Sequence, residues 1–264
     1  MSRRLLDLGG RHALVCGASS GIGRAAALAM ASMGAELTVL ARNRGRLDSL
    51  LKEMSAAGSP QVRALAVDLE EEESLAKAVD CLLTDHGPIH ILINNSGGPP
   101  SGPLLAAEAG DFLKALRRHL FASHFLVRAL LPGMQEQGYG RIINIISTSV
   151  KEPIPGLGVS NTVRGAMASW AKTLSKELPA GVTINNVLPG FTATERLESL
   201  KQQMASQREI EPEAVEQGWL STVPEKRLGL PEELGAAVAF LASPAAAYIR
   251  GVSLPVDGGR LNSI

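Results

Sequence analysis

Aromatic residues are scarce in this 264-residue chain, with two Trp, two Tyr and five Phe making up 3% of it. That scarcity excludes the stacking surfaces that hold single-stranded nucleic acid. It also leaves two phenols, Tyr139 and Tyr248, few enough to be placed one at a time. An excess of charge is missing too: Lys plus Arg and Asp plus Glu both number 26, for a formal net charge of zero. The chain therefore carries no electrostatic footprint for nucleic acid or an anionic membrane. Cysteine is limited to Cys16 and Cys81, one in a predicted strand and one in a predicted helix, which reads as two reduced packing residues and not a disulfide framework. The opening MSRRLLDLGGRH has three arginines but no apolar run suited to an export signal, and no later stretch nears the roughly 18 apolar residues of a membrane span. The expectation is a cytoplasmic protein whose partners are a small molecule and copies of itself, with no nucleic acid, membrane or metal.

What the chain does have is alternation. Short apolar runs rich in β-branched residues, HALVCG, AELTVLA, VRALAVDL, IHILINNSG, GRIINIIST, GVTINNVLPG and GVSLPVDGG, are separated by amphipathic or helix-bearing segments. Strand and helix in turn mean βαβ units, and nearly unbroken apolar strands mean a sheet covered on both faces. The predicted fold is α/β: a single doubly wound Rossmann domain over 1–264 with a mostly parallel, seven-stranded sheet. No linker or internal repeat divides it. One irregular, charge-dense segment, about 191–227, follows the carboxyl end of a strand, where ligands bind in open α/β sheets. It is a candidate helical lid, with a solvated helical excursion as the plainer reading.

LVCGASSGIGRAAALAMASMG places Gly17, Gly21 and Gly23 between the first strand and the first helix. Glycines permit a tight turn against a pyrophosphate, and the helix that begins there aims unpaired N–H groups and partial positive charge at it. Ser19, Ser20 and Ile22 belong to the same turn. After the second strand, Ala41 stands where an acid would grip a ribose 2′-hydroxyl, and Arg42 and Asn43 follow. A guanidinium in place of a carboxylate favours a 2′-phosphate, hence NADP(H) over NAD(H), although Arg42 also reads as an exposed helix-start charge. Further on, SNTVRGAMASWAKTLSKEL at 160–178 has Val163, Met167, Trp170, Leu174 and Leu178 at helical steps, with Ser160 and Arg164 one turn apart on a flank.

Together GASSGIG at 17–23, VDL at 67–69, NNSG at 94–97, NIIS at 144–147, PGFTAT at 189–194, RLGLPEEL at 227–234 and VDGG at 256–259 resemble the short-chain dehydrogenase/reductase family, and most of all its β-ketoacyl-acyl-carrier-protein reductase branch. The resemblance implies that Asp68 and Leu69 border the adenine, that Asn94 and Gly97 support the riboses, and that Pro189, Gly190, Thr192 and Thr194 frame the nicotinamide. It further implies hydride transfer assisted by a serine, a tyrosine, a lysine and an asparagine. The serine maps to Ser147. The tyrosine and lysine of Y-x-x-x-K fall on Ser160 and Arg164, and the asparagine falls on His119, counted back from Pro132. Neither Tyr139 nor Tyr248 has a basic residue four positions later, so a shift of register does not restore the phenol. The threonine usual before the glycine turn is Cys16, which leaves open how that turn is hydrogen-bonded.

An aliphatic hydroxyl is a much weaker acid than a tyrosine of pKa about 10. Arg164 cannot relay protons but can hold ribose hydroxyls and stabilise an oxyanion, unless it is a helix-surface charge. If His119 faces Ser147 it can donate the proton itself, through Ser160 or through water; otherwise it packs within its helix. The leading expectation is an NADPH-dependent carbonyl reductase resembling 3-oxoacyl-thioester reductases. The alternative is an inactive nucleotide-binding sensor or assembly protein on the same fold. By the same resemblance a homodimer or homotetramer is expected, built on the helices that carry Phe121, Phe125, Met167 and Trp170, which read equally as packing onto the sheet.

Overall fold

A computed structural model describes residues 5–263; Arg3 and Arg4 of the opening stretch, part of the export-signal reading, lie outside the described residues. The apolar runs become seven strands: β1 (His12–Cys16), β2 (Glu36–Ala41), β3 (Val62–Ala66), β4 (Ile91–Asn94), β5 (Gly140–Ile145), β6 (Val182–Pro189) and β7 (Ser253–Val256). Between them run α1 (Gly21–Ser32), α2 (Arg44–Ala56), α3 (Glu72–His86), α4 (Ala109–Leu116), α5 (Ala122–Glu136), α6 (Gly158–Glu177), α7 (Glu195–Arg208), α8 (Pro212–Ser221) and α9 (Pro231–Ala242). Every strand pairing is parallel, in the order β3-β2-β1-β4-β5-β6-β7. The winding reverses between β1 and β4, which opens a crevice beyond their carboxyl ends.

Both faces of the sheet are covered, as the unbroken apolar runs require. On β1, Ala13 and Val15 pack with α1, α2 and α9, whereas Leu14 and Cys16 pack with α3, α5 and α6. Small residues let the helices close in: a Cβ on Gly235 of α9 would stand 2.7 Å from the Ala25 carbonyl of α1. Large side chains such as Met30, Leu37 and Leu92 are fully buried, each stabilising the fold by about 1.5–3 kcal/mol.

One polar row crosses this apolar interior. Asn94, Asn144, Asn186 and Ser253 share a register across β4 to β7. Asn94 Nδ2 donates to Asn144 Oδ1 at 2.8 Å, Asn144 Nδ2 to Asn186 Oδ1 at 2.9 Å, and Asn186 Nδ2 to Ser253 Oγ at 3.1 Å. Buried amides need such partners, because leaving one unpaired costs about 1–3 kcal/mol.

The helix expected at 160–178 begins at Gly158, with Val163 and Met167 buried and Trp170 and Leu174 partly so. Phe125 packs partly against the core, and Phe121 is half exposed. Segment 191–227 forms α7 and α8 around a small core of its own, in which Phe191 stacks on Trp219 with ring centroids 5.0 Å apart. Tyr139 lies just ahead of β5, between the Arg11 and Arg141 guanidiniums, and its hydroxyl donates to the Ala242 carbonyl at 2.6 Å. Tyr248 is fully exposed. No helix among the described residues is long and apolar enough to cross a membrane.

Candidate cofactor and substrate site

The glycine turn is shaped by close approach. Gly17 has φ +60°, and a Cβ there would stand 2.6 Å from the Asn95 carbonyl; one on Gly23 would stand 2.4 Å from the Gly17 carbonyl. Neither position admits a side chain without moving backbone. Asn95 supplies the turn's hydrogen bonds, its Nδ2 donating to the carbonyls of Gly17 (3.0 Å) and Cys16 (3.4 Å). The Cys16 thiol has no part in this; burial pushes its pKa up to about 12 and keeps it an uncharged packing group. Ser20 precedes α1 without a side-chain cap bond, so the first-turn N–H groups are left for a ligand.

Two cavities meet at this turn and share Gly17, Ser20, Ser96 and Gly97. The first, about 350 Å³, is lined by Ser19, Arg42, Asn43, Arg46, Asp68, Leu69 and Arg118 among others. Here Arg42 stands 3.6 Å from Asp68, and Asn43 caps α2 by accepting from the Arg46 N–H. The second, about 290 Å³, holds Gly21, Ile22, Ser147, Ser160, Arg164, Pro189, Gly190, Thr192 and Thr194. Two joined cavities about a glycine turn that tolerates no Cβ fit a dinucleotide laid across the crevice.

In the second cavity Ser147 Oγ accepts from the Ser149 N–H at 3.0 Å, which fixes the oxygen and leaves its hydrogen free to donate. Ser160 and Arg164 sit one helical turn apart, so α6 presents both to the same space. The Arg164 guanidinium is buried, donating to the carbonyls of Ile145 (2.8 Å) and Ser96 (3.5 Å). Burial, and secondarily Arg196, bring its pKa down to about 10, so it stays cationic near neutrality. Glu195, the carboxylate on this cavity, is engaged by Arg46 at 2.7 Å.

Two expected site residues lie elsewhere. His119 does not reach Ser147; its Nδ1 is 2.6 Å from Ser96 Oγ, and it lines a separate void of about 10 Å³ beside Arg164. His119 lies in a π turn, Arg117–Phe121, between α4 and α5. Burial, then Arg164 and Arg118, hold its pKa well below 6.5, so the imidazole is neutral. Asn94, expected at the riboses, is committed to the amide row in the sheet, and its neighbours Asn95, Ser96 and Gly97 face the cavities instead. Sequence reasoning missed Asn95, Ser96, Arg46, Arg118 and Arg196. The first two stand in the quoted NNSG, where Asn94 ends the strand and the next residues must leave it; the arginines carry no local signal beyond their charge.

A crevice at the switch point of a doubly wound sheet, floored by a glycine turn, defines the class of dinucleotide-binding α/β proteins. Comparison narrows it. The family model for enoyl-(acyl carrier protein) reductase matches residues 17–260. The 3-oxoacyl-[acyl-carrier-protein] reductase FabG of Haemophilus influenzae is 32% identical over 95% of this chain and 98% of its own. Among solved structures, L-sorbose reductase from Gluconobacter frateurii, complexed with NADPH and L-sorbose, superposes with a TM-score of 0.92 at 28% identity over 98% of this chain and 100% of its own. NAD+-bound xylitol dehydrogenase gives 0.88 at 28% identity over 96% and 99%. The chain belongs to the short-chain dehydrogenase/reductase family, in its FabG-like branch.

Proposed function

We propose that this protein is an NADP(H)-dependent carbonyl reductase resembling 3-oxoacyl-thioester reductases, with Ser160 and Arg164 in the places of the family's tyrosine and lysine. The observation that carries the reading is the convergence of Ser147, Ser160 and Arg164 on the cavity that also holds Gly190 and Thr192. The turn at 17–23 would take the diphosphate, Asp68 and Leu69 the adenine, and Arg42 with Asn43 the 2′-phosphate; Pro189, Gly190, Thr192 and Thr194 would frame the nicotinamide. Relatives with NADPH and with NAD+ are both known, so the preference rests on Ala41 and Arg42. Segment 191–227 closes over the substrate.

When bound, the nicotinamide would supply the hydride. Ser147 donates its hydroxyl hydrogen to the substrate oxygen and fixes its position. Arg164 holds positive potential where negative charge develops on that oxygen, a stabilisation that a preorganised cation provides without reorganisation. Ser160 passes a proton from water, because its own hydroxyl is too weakly acidic to ionise. Loss of a positioned general acid removes about 10² to 10⁴-fold, while placing the reactants together still contributes about 7–11 kcal/mol, so slow turnover survives.

A second reading, a nucleotide-binding sensor or assembly protein, is favoured by one observation: no Tyr, His or Cys lines this cavity among the described residues. NADPH oxidation measured across 3-oxoacyl thioesters, quinones and small ketones separates the two. Turnover that collapses in Ser147→Ala supports the reductase; NADPH binding without turnover on any substrate rejects it.

A further inference from the structure

We propose that the substrate of this cleft is an anion, a carbonyl compound that also bears a carboxylate, and that Arg196 binds the carboxylate. The proposal rests on the reductase reading and deepens it. Arg164 and Arg196 flank the same point beside Gly98, where a Cβ would lie 3.8 Å from Arg196 Nη2 and 4.0 Å from Arg164 Nη2. Among the described residues neither has an acid partner: Arg164 donates to two backbone carbonyls, and Arg196 donates to the Pro99 carbonyl at 2.7 Å. Arg42, Arg46, Arg118 and Arg227 meet carboxylates, whereas Arg141 and Arg250, away from this cavity, also donate to backbone carbonyls; what sets Arg164 and Arg196 apart is that both stand at one open cavity.

The charge of the solvent-open Arg196 opposes that of the buried Arg164 beside it, and desolvation lowers the pKa of both, that of Arg164 to about 10. An anion between them relieves both penalties. The carboxylate that could have done so from within the chain, Glu195, is held by Arg46. Arg196 spends one of five N–H donors on Pro99, which leaves the planar fork that takes a carboxylate bidentately. Part of the remaining wall, Ile154 and Leu157 ahead of α6 and Leu197 and Leu200 on α7, is aliphatic and suits a short hydrocarbon spacer. Arg196 is open to solvent at the mouth while Arg164 is buried beside Ser147's end of the cavity, so the two ends of an oxo acid are met by different cations.

The test compares acetoacetate with its uncharged analogue acetoacetamide as substrates of the full chain with NADPH. In parallel, malonate, which is not reduced, is titrated calorimetrically into the protein–NADPH complex. The expected result is a kcat/KM ratio of acid to amide of about 10 or more, carried mostly by KM. Arg196→Gln should lower that ratio at least about tenfold and abolish malonate binding, and Arg196→Lys should restore part of both. Malonate binding that depends on Arg196 in a protein that reduces nothing upholds the anion site and rejects the reductase reading. Reduction of neutral ketones with no preference for the acid, and no malonate binding, overturns the anion site alone. So does an Arg196→Gln variant whose NADPH affinity falls by the same factor as its malonate affinity, since that assigns Arg196 to the cofactor's diphosphate.

Discussion

Replacing Arg164 with methionine separates a functional cation from a structural one. The fall of its pKa from 12.5 to about 10 corresponds to about 3 kcal/mol spent on keeping the charge inside the protein. Set against that are a good hydrogen bond to the Ile145 carbonyl at 2.8 Å and a marginal one to Ser96 at 3.5 Å. A bond from a charged donor stabilises by about 1.5–3 kcal/mol, and a carbonyl left unpaired costs about 1–3 kcal/mol. Because methionine fills much of the same length and removes the buried charge, the opposing effects largely cancel, leaving a net loss of at most about 3 kcal/mol. For a chain of this size that is a fall in Tm of about 6 °C or less. NADPH-dependent turnover should meanwhile fall by about 10²-fold or more, the scale of losing one preorganised oxyanion-stabilising group. Differential scanning fluorimetry beside a reductase assay reads both quantities. A Tm lowered by about 8 °C or more with unchanged turnover would refute the reasoning and make Arg164 a strut.

Three other outcomes are expected. Gly23→Ala should abolish NADPH binding in a fluorescence titration, because its Cβ would lie 2.4 Å from the Gly17 carbonyl and must push the turn apart; affinity within twofold of wild type contradicts this. Arg42→Ala should lower the NADPH-to-NADH affinity ratio by about 10-fold or more, and an unchanged ratio removes Arg42 from the 2′-phosphate. Burial, then Arg63, His90 and His86, lower the pKa of His12 from 6.5 to about 4, so the unfolded chain binds the proton first. Stability is therefore complete above pH about 6.5 and declines toward pH 4 by up to about 3 kcal/mol; urea melts giving equal stability at pH 7.5 and 4.5 would exclude it.

The layered fold was legible because unbroken apolar runs such as HALVC leave no polar face, and a strand without one must be covered on both sides. The glycine turn was legible for a similar reason, since three glycines between strand and helix have few other uses. The misplaced residues share a different character. His119 is placed by its spacing from Pro132 in the motif, and spacing alone does not say which way a side chain points at the π turn Arg117–Phe121, which has no sequence mark of its own. Asn94 and Asn95 are adjacent and identical, so composition cannot tell which one the sheet keeps; only the register of β4 against β5 decides. Arg196 sits in a charge-dense helix that reads as solvated surface, and its approach to Arg164 depends on how that helix folds back over the crevice.

The amides that link Asn94 to Asn144, Asn186 and Ser253 lie one or a few residues short of the loops bearing Ser96, Ser147 and Gly190. They tie the end of β4, β5 near its end, the middle of β6 and the start of β7 together like sleepers under a rail, so those loops are launched at fixed spacing whatever happens beyond them. The substrate-facing helices can then be lengthened, shortened or recharged, as the arginines on them suggest, while the seat of the nucleotide keeps its gauge. New specificity becomes a matter of changing the superstructure without relaying the track.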